Sequence, residues 1–377
     1  MSGALEGLRV VDLSTYLSGP YCSMLLADMG SDVIKIERPE HGDEMRRVPP
    51  FVGGESSPFM LFNRNKRSVT LDLKTADGNA KCRELADGAD VFLENFRPGV
   101  AERLGLGYAA LSEKNPRLVY CSISGFGQTG PYRERGGFDL ITQAMAGLMS
   151  ITGAEDGPPL RIPVPISDLC AGMFAAFGIV CALQARERTG RGQIVDQSLF
   201  EAAISLGVYE AASYFATGTP PVRLGQAHRG SSPYQVFPTC DGWITVGASA
   251  QHFWEQLCDI LVCTSLKHDP RFASNVLRVQ HNRELVERLE ALFRCQASAY
   301  WLEKLEAVGI PAGPVLTYDQ VFANEQTLAR RMVEDVVHPS AGPGKLLGVT
   351  VKLSATPGAI RRPAPRLGEH TKEILGT

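Results

Sequence analysis

The first 40 residues alternate between strand and helix patterns, and no other feature constrains the fold as strongly. Leu8–Leu13 is an apolar strand-like run, and Asp32–Glu37 is a second one. Between them, Tyr21–Met29 has helical periodicity and stops at Gly30. Short strands joined by a helix favour a parallel sheet that carries its ligand chemistry at the carboxyl ends of the strands.

The same alternation continues along the next part of the chain. Further strands are predicted at Ser68–Leu73, Val91–Glu94 and Leu118–Ile123, and further helices at Gly78–Asp87, Gly99–Leu104, Gly107–Lys114 and Asp139–Met149. Asp168–Gln184 is apolar on nearly all sides, which predicts a buried helix. The pattern therefore indicates an α/β fold with a parallel sheet.

A second, smaller region follows a change in composition. Thr217–Ser232 is rich in Pro, Gly and polar residues and is expected to be a linker. Tyr234–Val246 reads as a hairpin. Amphipathic helices are predicted at Phe253–Val262, Glu284–Phe293 and Ala299–Val308. The tail, Ile310–Thr377, reads as strands and loops and can return to the first domain.

Gly125, Gly127 and Gly130 spell G-x-G-x-x-G after a predicted strand, the pattern of a dinucleotide-binding turn. In that motif the last glycine opens a helix whose N-terminus binds pyrophosphate. Here the residues that follow, 131–137, have the composition of a loop, and no strand ending in Asp or Glu lies about 20 residues further on. The context therefore argues against a nicotinamide cofactor and an oxidoreductase.

Composition excludes several classes of function. The chain has 377 residues, 44% of them apolar and 21% charged, with a net charge of −3. This balance predicts no nucleic-acid or membrane partner, and no apolar run reaches the roughly 18–20 residues of a membrane span. The N-terminus lacks the features of a signal peptide, so the cytoplasm is the expected compartment.

Cysteine and histidine spacing indicates no metal site. The nine cysteines are scattered without a C-x-x-C pair, and the seven histidines form no H-E-x-x-H pattern. Most cysteines have apolar neighbours and are expected to behave as small buried hydrophobes.

Several ordered segments resemble the family III CoA-transferases (the CaiB/BaiF group). They are LSGPYCSMLLADMGSDVIKIERP, NRNKRSVTLDLK, LENFRPGVAERLGLGY, NPRLVYCSISGFGQTGP, ISDLCAG and TGRGQIVDQSLFEA, with CDGWITV, GIPAGPV and LGEHT nearer the end. The resemblance implies a Rossmann-like large domain with a parallel sheet, a smaller α+β domain and an intertwined homodimer. Together with the patterns above, it gives a large domain at residues 1–205, a linker at 206–228, a small domain at 229–308, and a segment at 309–377 that returns to the large domain.

Asp168 is the candidate nucleophile. Taken alone, an Asp that opens a buried helix is most often an N-cap. The resemblance places it at the family's nucleophilic aspartate, and the two roles are compatible because a helix N-terminus favours the ionised carboxylate. The implied reaction passes through a mixed anhydride and an aspartyl-CoA thioester.

The resemblance also assigns other residues near the reaction. Asp139 corresponds to an acidic residue at the active site, with a helix N-cap as the alternative. The backbone of Gly230 and Ser231 corresponds to a glycine-rich flap and is the candidate donor to the tetrahedral intermediates.

Coenzyme A enters as a thioester substrate, with no tightly bound cofactor expected. Arg38 is the candidate for its 3′-phosphate, because guanidinium binds phosphate in a bidentate manner. The remaining residues implied in CoA binding are Leu71, Lys74, Asn95, Phe96, Arg97, Val100, Arg103 and Leu104.

Two departures from the family pattern bear on substrate choice. Phe138 occupies the place of the histidine base found in members that racemise 2-methylacyl-CoA, so one of the two bases for α-proton abstraction is missing. Leu17 and Val48 replace a glutamine and a tryptophan of the formyl-CoA:oxalate enzymes, which argues against oxalate.

Arg46 and Arg47 have two readings: they hold the distal carboxylate of a longer dicarboxylate such as succinate or glutarate, or they are ordinary charged loop residues. Tyr16, Leu17 and Phe138 complete the expected substrate-binding set.

The sequence therefore predicts a cytoplasmic, homodimeric CoA-transferase that acts on an acyl-CoA donor, such as succinyl-CoA, and a small carboxylic or dicarboxylic acid. The alternatives are a 2-methylacyl-CoA racemase of the same fold and a non-catalytic CoA-binding relative.

Overall fold

The structure is a computed structural model that describes residues 3–376. The chain forms two compact units. The first unit comprises the described residues up to 149, residues 161–219 and the chain from residue 325 onward, and the second comprises residues 150–160 and 220–324.

A parallel sheet forms the centre of the first unit. Its strands are β1 (Arg9–Asp12), β2 (Asp32–Glu37), β5 (Lys66–Thr70), β6 (Val91–Glu94), β7 (Val119–Ser124) and β8 (Ile194–Ser198), while β3 (Phe51–Val52) and β4 (Glu55–Ser56) form a separate short hairpin. The six strands are ordered β5-β2-β1-β6-β7-β8, and Val11 at the centre pairs with Ile34 on one side and Phe92 on the other. The predicted parallel sheet is confirmed, and β2 and β6 have the predicted bounds.

Helices surround this sheet. They are α1 (Ser18–Asp28), α2 (Ser57–Phe62), α3 (Ala76–Asp87), α4 (Val100–Arg103), α5 (Tyr108–Ser112), α6 (Asp139–Met145), α7 (Leu148–Ile151), α8 (Ile166–Thr189), α9 (Leu199–Leu206) and α10 (Val208–Thr217), and Glu44–Arg47 forms a 3₁₀ turn. Helix α1 begins three residues before the predicted Tyr21. Pro20 is tolerated there because the first turn of a helix leaves its N–H groups unpaired in any case.

Helix α8 lies against the sheet and against α1. Small residues on its inner face, including Ala171, Ala175 and Gly172, are buried, and a Cβ at Gly172 would lie only 2.7 Å from the Ser18 carbonyl oxygen. The helix extends past the predicted Gln184, since Arg186 stays helical and pairs with Asp90 at 2.9 Å. Gly190 then ends it in a left-handed conformation.

The sequence-based statement that no segment is long enough to span a membrane needs correction. By length and composition alone α8 could cross a bilayer, and half of its most apolar window is buried inside the protein. One such helix is weak support for a span, because the core helix of a soluble protein passes the same test.

The second unit is built on a small antiparallel sheet. Its strands are β9 (Tyr234–Pro238), β10 (Trp243–Gly247) and β11 (Ala312–Pro314), in the order β11-β10-β9. Its helices are α11 (Gln251–Ile260), α12 (Thr264–Lys267), α13 (Asn275–Gln280), α14 (Asn282–Phe293), α15 (Ser298–Ala307) and α16 (Tyr318–Ala323), with a 3₁₀ turn at Pro270–Phe272. The predicted hairpin is confirmed, and aromatic residues such as Phe237, Trp254 and Phe293 fill the core beneath it.

The C-terminal segment completes the first unit with α17 (Glu325–Ala329), β12 (Val333–His338), β13 (Gly342–Leu347) and α18 (Thr371–Leu375). The His370 N–H donates to the Ser68 carbonyl oxygen at 2.9 Å, which joins the tail to β5. The division differs from the predicted one: residues 309–324 remain in the second unit, and α10 lies inside the predicted linker at 206–228.

Candidate active site

The sheet order creates a crevice between β1 and β6. The chain leaves β1 toward β2 on one side, whereas β6 is followed by β7 on the other side. Ligands of open α/β sheets bind at such a switch point, outside the carboxyl ends of the strands. Here the Asn95 side chain joins the loops after β1 and β6, because it accepts from the Thr15 N–H at 2.9 Å and donates to the Thr15 carbonyl oxygen at 2.8 Å.

One side of this crevice is a cavity of about 520 Å³, which we call the basic cavity. Seven of the nine residues implied in CoA binding line it: Arg38, Leu71, Lys74, Phe96, Val100, Arg103 and Leu104. The three basic side chains are exposed and the leucine at position 71 is buried. Cations at the mouth and an apolar floor suit a ligand that carries phosphates at one end.

A second cavity of about 420 Å³, which we call the Asp168 cavity, adjoins the first. The predicted residues that line it are Tyr16, Leu17, Asn95, Phe96, Arg97, Phe138 and Asp168. Thr15, Tyr16 and Phe96 line both cavities, so the two meet at these side chains.

Asp168 lies in the first turn of α8, two residues after the first helical residue. The helix-capping role expected for it belongs to Asp139, whose Oδ1 accepts from the Ser167 N–H at 2.9 Å. Asp139 was also considered as the N-cap of α6. That alternative is wrong, because Phe138 occupies the N-cap position and Asp139 is the first helical residue.

Asp168 is half-buried, and its surroundings disfavour the charged form. Burial and then the neighbouring Asp139 carboxylate raise the pKa of Asp168 to about 7, against a hydrogen bond with Ser18 that lowers it. The Asp168 carboxyl therefore changes its charge in the neutral pH range.

The glycine motif after β7 forms a loop beside this cavity. Gly127 and Gly130 have φ of 91° and 83°, and the next helix begins only at Asp139. Gly125 and Gly137 pack backbone to backbone, since a Cβ on Gly137 would lie 2.5 Å from the Gly125 Cα. The motif therefore forms a tight turn beside the Asp168 cavity and does not open a helix. The loop predicted for residues 131–137 is confirmed.

The two arginines considered for a distal carboxylate are placed differently. Arg46 is largely buried, donates to both Glu37 oxygens at 2.7 Å and stacks on Phe59. The Arg46 guanidinium thus joins β2 to the loop that follows it. Because its donors are already bound to Glu37, this contradicts a role for Arg46 in binding the substrate carboxylate. Arg47 is exposed and lines neither the basic cavity nor the Asp168 cavity.

Leu17 separates the Asp168 cavity from a third cavity of about 610 Å³ within the first unit. The walls of this third cavity are mainly apolar and include Val48, Met60 and Phe62. Leu17 and Val48, the two positions taken to argue against oxalate, thus place apolar side chains around this space.

Gly230 and Ser231 belong to the second unit. The Gly230 N–H donates to His228 Nδ1 at 3.1 Å, and the Gly230 carbonyl oxygen accepts from Asn275 at 2.8 Å. The Gly230 N–H is therefore engaged within its own loop in this conformation, which disagrees with a donor held free for an oxyanion.

Sequence reasoning missed a set of buried charges under the crevice: Asp12, Lys35, Asp43 and Lys66, whose side chains are fully buried. Charged residues inside strand-like runs, namely Asp12 in Val10–Leu13 and Lys35 in Asp32–Glu37, were the available signal. It also missed Ser18, the hydrogen-bond partner of Asp168. Across residues 3–376, no cluster of three or more His, Cys, Asp or Glu could hold a metal ion.

The fold and cavities define a Rossmann-like α/β protein with its ligand crevice at a switch point of the sheet. The model of CoA-transferase family III matches residues 5–371. A CAIB/BAIF family protein from Brucella suis has a similar solved structure, with a TM-score of 0.90, 37% identity, and coverage of 100% of this chain and 99% of that one.

Two relatives indicate the chemistry of the group. Succinyl-CoA:glutarate CoA-transferase of Mus musculus is 41% identical over 98% of this chain and 85% of its own length. Acetyl-CoA:oxalate CoA-transferase of Acetobacter aceti is 40% identical over 97% of this chain and 94% of its own length. The chain belongs to CoA-transferase family III, and it is a CoA-transferase.

Proposed function

We propose that this enzyme moves CoA from an acyl-CoA such as succinyl-CoA to a small dicarboxylic acid, with Asp168 as the nucleophile. One observation carries the proposal: the cavity that holds Asp168 adjoins the basic cavity, and Thr15, Tyr16 and Phe96 line both. A CoA thioester bound along both cavities has its phosphates at the basic side chains and its reactive end near the carboxylate.

The reaction runs in two symmetrical halves. The Asp168 carboxylate attacks the thioester carbonyl of the donor, and the C–S bond breaks to give a mixed anhydride and CoA thiolate. The thiolate attacks the aspartyl carbonyl, which releases the donor acid and leaves an aspartyl-CoA thioester. The acceptor carboxylate then attacks the aspartyl-CoA thioester, which releases CoA thiolate and forms a second mixed anhydride between the acceptor and Asp168. The thiolate attacks the acceptor carbonyl of this anhydride, which gives the acceptor acyl-CoA and regenerates the Asp168 carboxylate.

The surroundings of Asp168 suit this chemistry in two ways. A partly desolvated carboxylate is a stronger nucleophile than a fully hydrated one, and a sheltered site keeps water from the anhydride. The first turn of α8 and the Ser18 hydrogen bond still stabilise the ionised form enough to react near neutral pH.

For CoA itself, Arg38, Lys74 and Arg103 are our candidates for the phosphates, because all three are exposed along the basic cavity. Arg38 now pairs with Glu44, so binding of the 3′-phosphate requires exchange of that partner. The apolar residues Leu71, Val100 and Leu104 face the organic part of the ligand.

We propose a dicarboxylic acid as the acceptor because of the relatives' substrates and of two cations in the Asp168 cavity. The mouse and Acetobacter relatives are named for glutarate and oxalate, which are both dicarboxylic acids. Arg97 and Arg135 are exposed and line the Asp168 cavity, so they can hold a distal carboxylate in place of the committed Arg46.

We also propose that the enzyme is a homodimer. Helix α8 exposes Met173, Phe174 and Phe177, and α10 exposes Val208 and Phe215, which is 82% accessible. Exposed apolar side chains on two helices of one unit are typical of an interface. Light scattering on the purified enzyme is expected to give twice the chain mass, and a monomer mass at micromolar concentration contradicts the proposal.

Steady-state transfer from succinyl-CoA tests the function. Glutarate and valerate have the same chain length but differ in one carboxylate, and we expect glutarate to react at least about tenfold faster. An Arg97→Ala/Arg135→Ala variant should lose this preference for glutarate over valerate. Equal rates with both acids in the unsubstituted enzyme contradict the dicarboxylate proposal.

A further inference from the structure

A buried ion pair lies in the wall of the basic cavity. Lys35 is on β2 and Asp43 is in the loop that follows, and their side chains, both fully buried, pair at 2.8 Å. Burial lowers the pKa of Lys35, but Asp43 and Asp12 more than offset it, so the pKa lies above its ordinary value and the amine stays charged.

Both members of the pair bind the backbone of the loop Ser14–Ser18. The Lys35 amine donates to the Ser14 carbonyl oxygen at 2.7 Å, and Asp43 Oδ1 accepts from the Tyr16 N–H at 3.0 Å. From the other side of the sheet, Asn95 holds Thr15. Three consecutive residues of the loop are therefore held by side chains from two different strand ends.

The loop needs this support because of the conformation of one residue. Tyr16 has a φ of 64°, in the left-handed region that favours glycine. A residue with a Cβ stays in that region only where its surroundings enforce it, and such positions cluster at functional sites.

The loop forms the junction of the two cavities. Thr15 and Tyr16 line both of them, Leu17 lines the Asp168 cavity, and Ser18 bonds to the Asp168 carboxylate. Any relaxation of Tyr16 would move the wall between the CoA-binding side and the nucleophile.

We propose that the Lys35–Asp43 pair is a positioning pair for CoA transfer, which holds Ser14–Ser18 in its strained conformation so that a bound acyl-CoA meets Asp168. This inference rests on the proposed function of Asp168. It assigns the pair a role in kcat, since the pair lies beneath the loop and positions it for the reaction.

The physics of buried charge separates this role from a purely structural one. Removing one partner of a buried pair leaves an uncompensated charge, but replacing both by apolar residues of similar size often leaves stability unchanged or raises it. A pair retained only for stability could therefore be replaced without loss of activity.

The test is the double variant Lys35→Met/Asp43→Leu, which removes both bonds to the loop. We expect a melting temperature close to that of the unsubstituted enzyme, a KM for succinyl-CoA within about threefold, and a kcat lowered about 100-fold, the effect of a misplacement near 1 Å. Arg186→Met/Asp90→Leu is the matched control: it removes a pair at the other edge of the sheet, with Arg186 buried, and should leave kcat unchanged.

A folded Lys35→Met/Asp43→Leu variant whose kcat stays within about threefold overturns the proposal. If that variant does not fold, Lys35→Met/Asp43→Asn decides, because Asn keeps an oxygen for the Tyr16 N–H but the Ser14 bond is lost. A roughly tenfold lower kcat then supports the proposal, and an unchanged kcat overturns it. If the unsubstituted enzyme transfers no CoA, the proposed function fails and not this inference alone.

Discussion

Asp168 must be ionised to attack, yet its surroundings favour the neutral form. Its pKa of about 7 predicts that kcat/KM rises as pH increases from about 6 to about 8 and then levels off. A pH–rate profile with a saturating acceptor measures this rise.

The Asp139→Asn variant provides the control for that profile. Asn keeps an oxygen for the Ser167 N–H but removes the like charge that raises the pKa of Asp168, so the rise should move to lower pH. A profile that is flat between about pH 5 and pH 8 in the unsubstituted enzyme contradicts this assignment.

The same pKa gives a signed prediction for stability. Asp168 binds a proton more tightly in the folded chain than its ordinary pKa of 3.8 implies, so its contribution to the free energy of unfolding falls as pH rises from about 4 through about 7. Asp168→Asn removes this loss. Its melting temperature should exceed that of the unsubstituted enzyme by a few degrees at pH 8, with little difference at pH 4, and the opposite order would refute the account.

Arg38 gives a separate prediction for substrate binding. Arg38→Ala should raise the KM for succinyl-CoA about 10- to 100-fold, the value of a charge-assisted bond to phosphate, and should have little effect with 3′-dephospho-succinyl-CoA. Glu44→Gln is the matched variant, because it releases Arg38 from its present partner and should lower the KM. An equal effect on both thioesters would show that Arg38 contacts another part of the ligand.

At the scale of elements, the loop between β7 and α6 depends on two glycines that touch. Gly137→Ala would place a Cβ 2.5 Å from the Cα and 3.3 Å from the carbonyl carbon of Gly125, and these are backbone atoms that cannot rotate away. We expect a loss of about 1–3 kcal/mol in the free energy of unfolding, together with a lower kcat. Gly136→Ala, whose Cβ would meet only the Arg97 side chain at 3.5 Å, is the control for stability in urea unfolding, and equal stability of the two variants would refute the packing argument.

Most of the strands and helices could be predicted from the sequence. Strands β2 and β6 are short runs rich in Val, Ile, Leu and Phe between clear turn signals, and they have the predicted bounds. An error occurs where a long-range contact decides: α8 continues past the predicted Gln184, and there Arg186 pairs with Asp90. That pairing is not visible in a local pattern.

At the scale of the whole molecule, the site was predicted better than the division of the chain. Seven of the residues that the family resemblance implied in CoA binding meet in one cavity. Two features depend on tertiary contacts and could not be predicted from the spacing of residues in the sequence. Residues 150–160 join the second unit, and Arg46 pairs with Glu37.

The central claim is that Asp168 carries CoA as a covalent thioester during turnover. The most direct measurement is mass spectrometry of peptides from enzyme that is mixed with succinyl-CoA and quenched in acid before any acceptor is added. The account predicts a CoA adduct on the peptide that contains Asp168, absent from Asp168→Asn and lost when glutarate is added. Transfer that proceeds at full rate with no adduct on that peptide would contradict it.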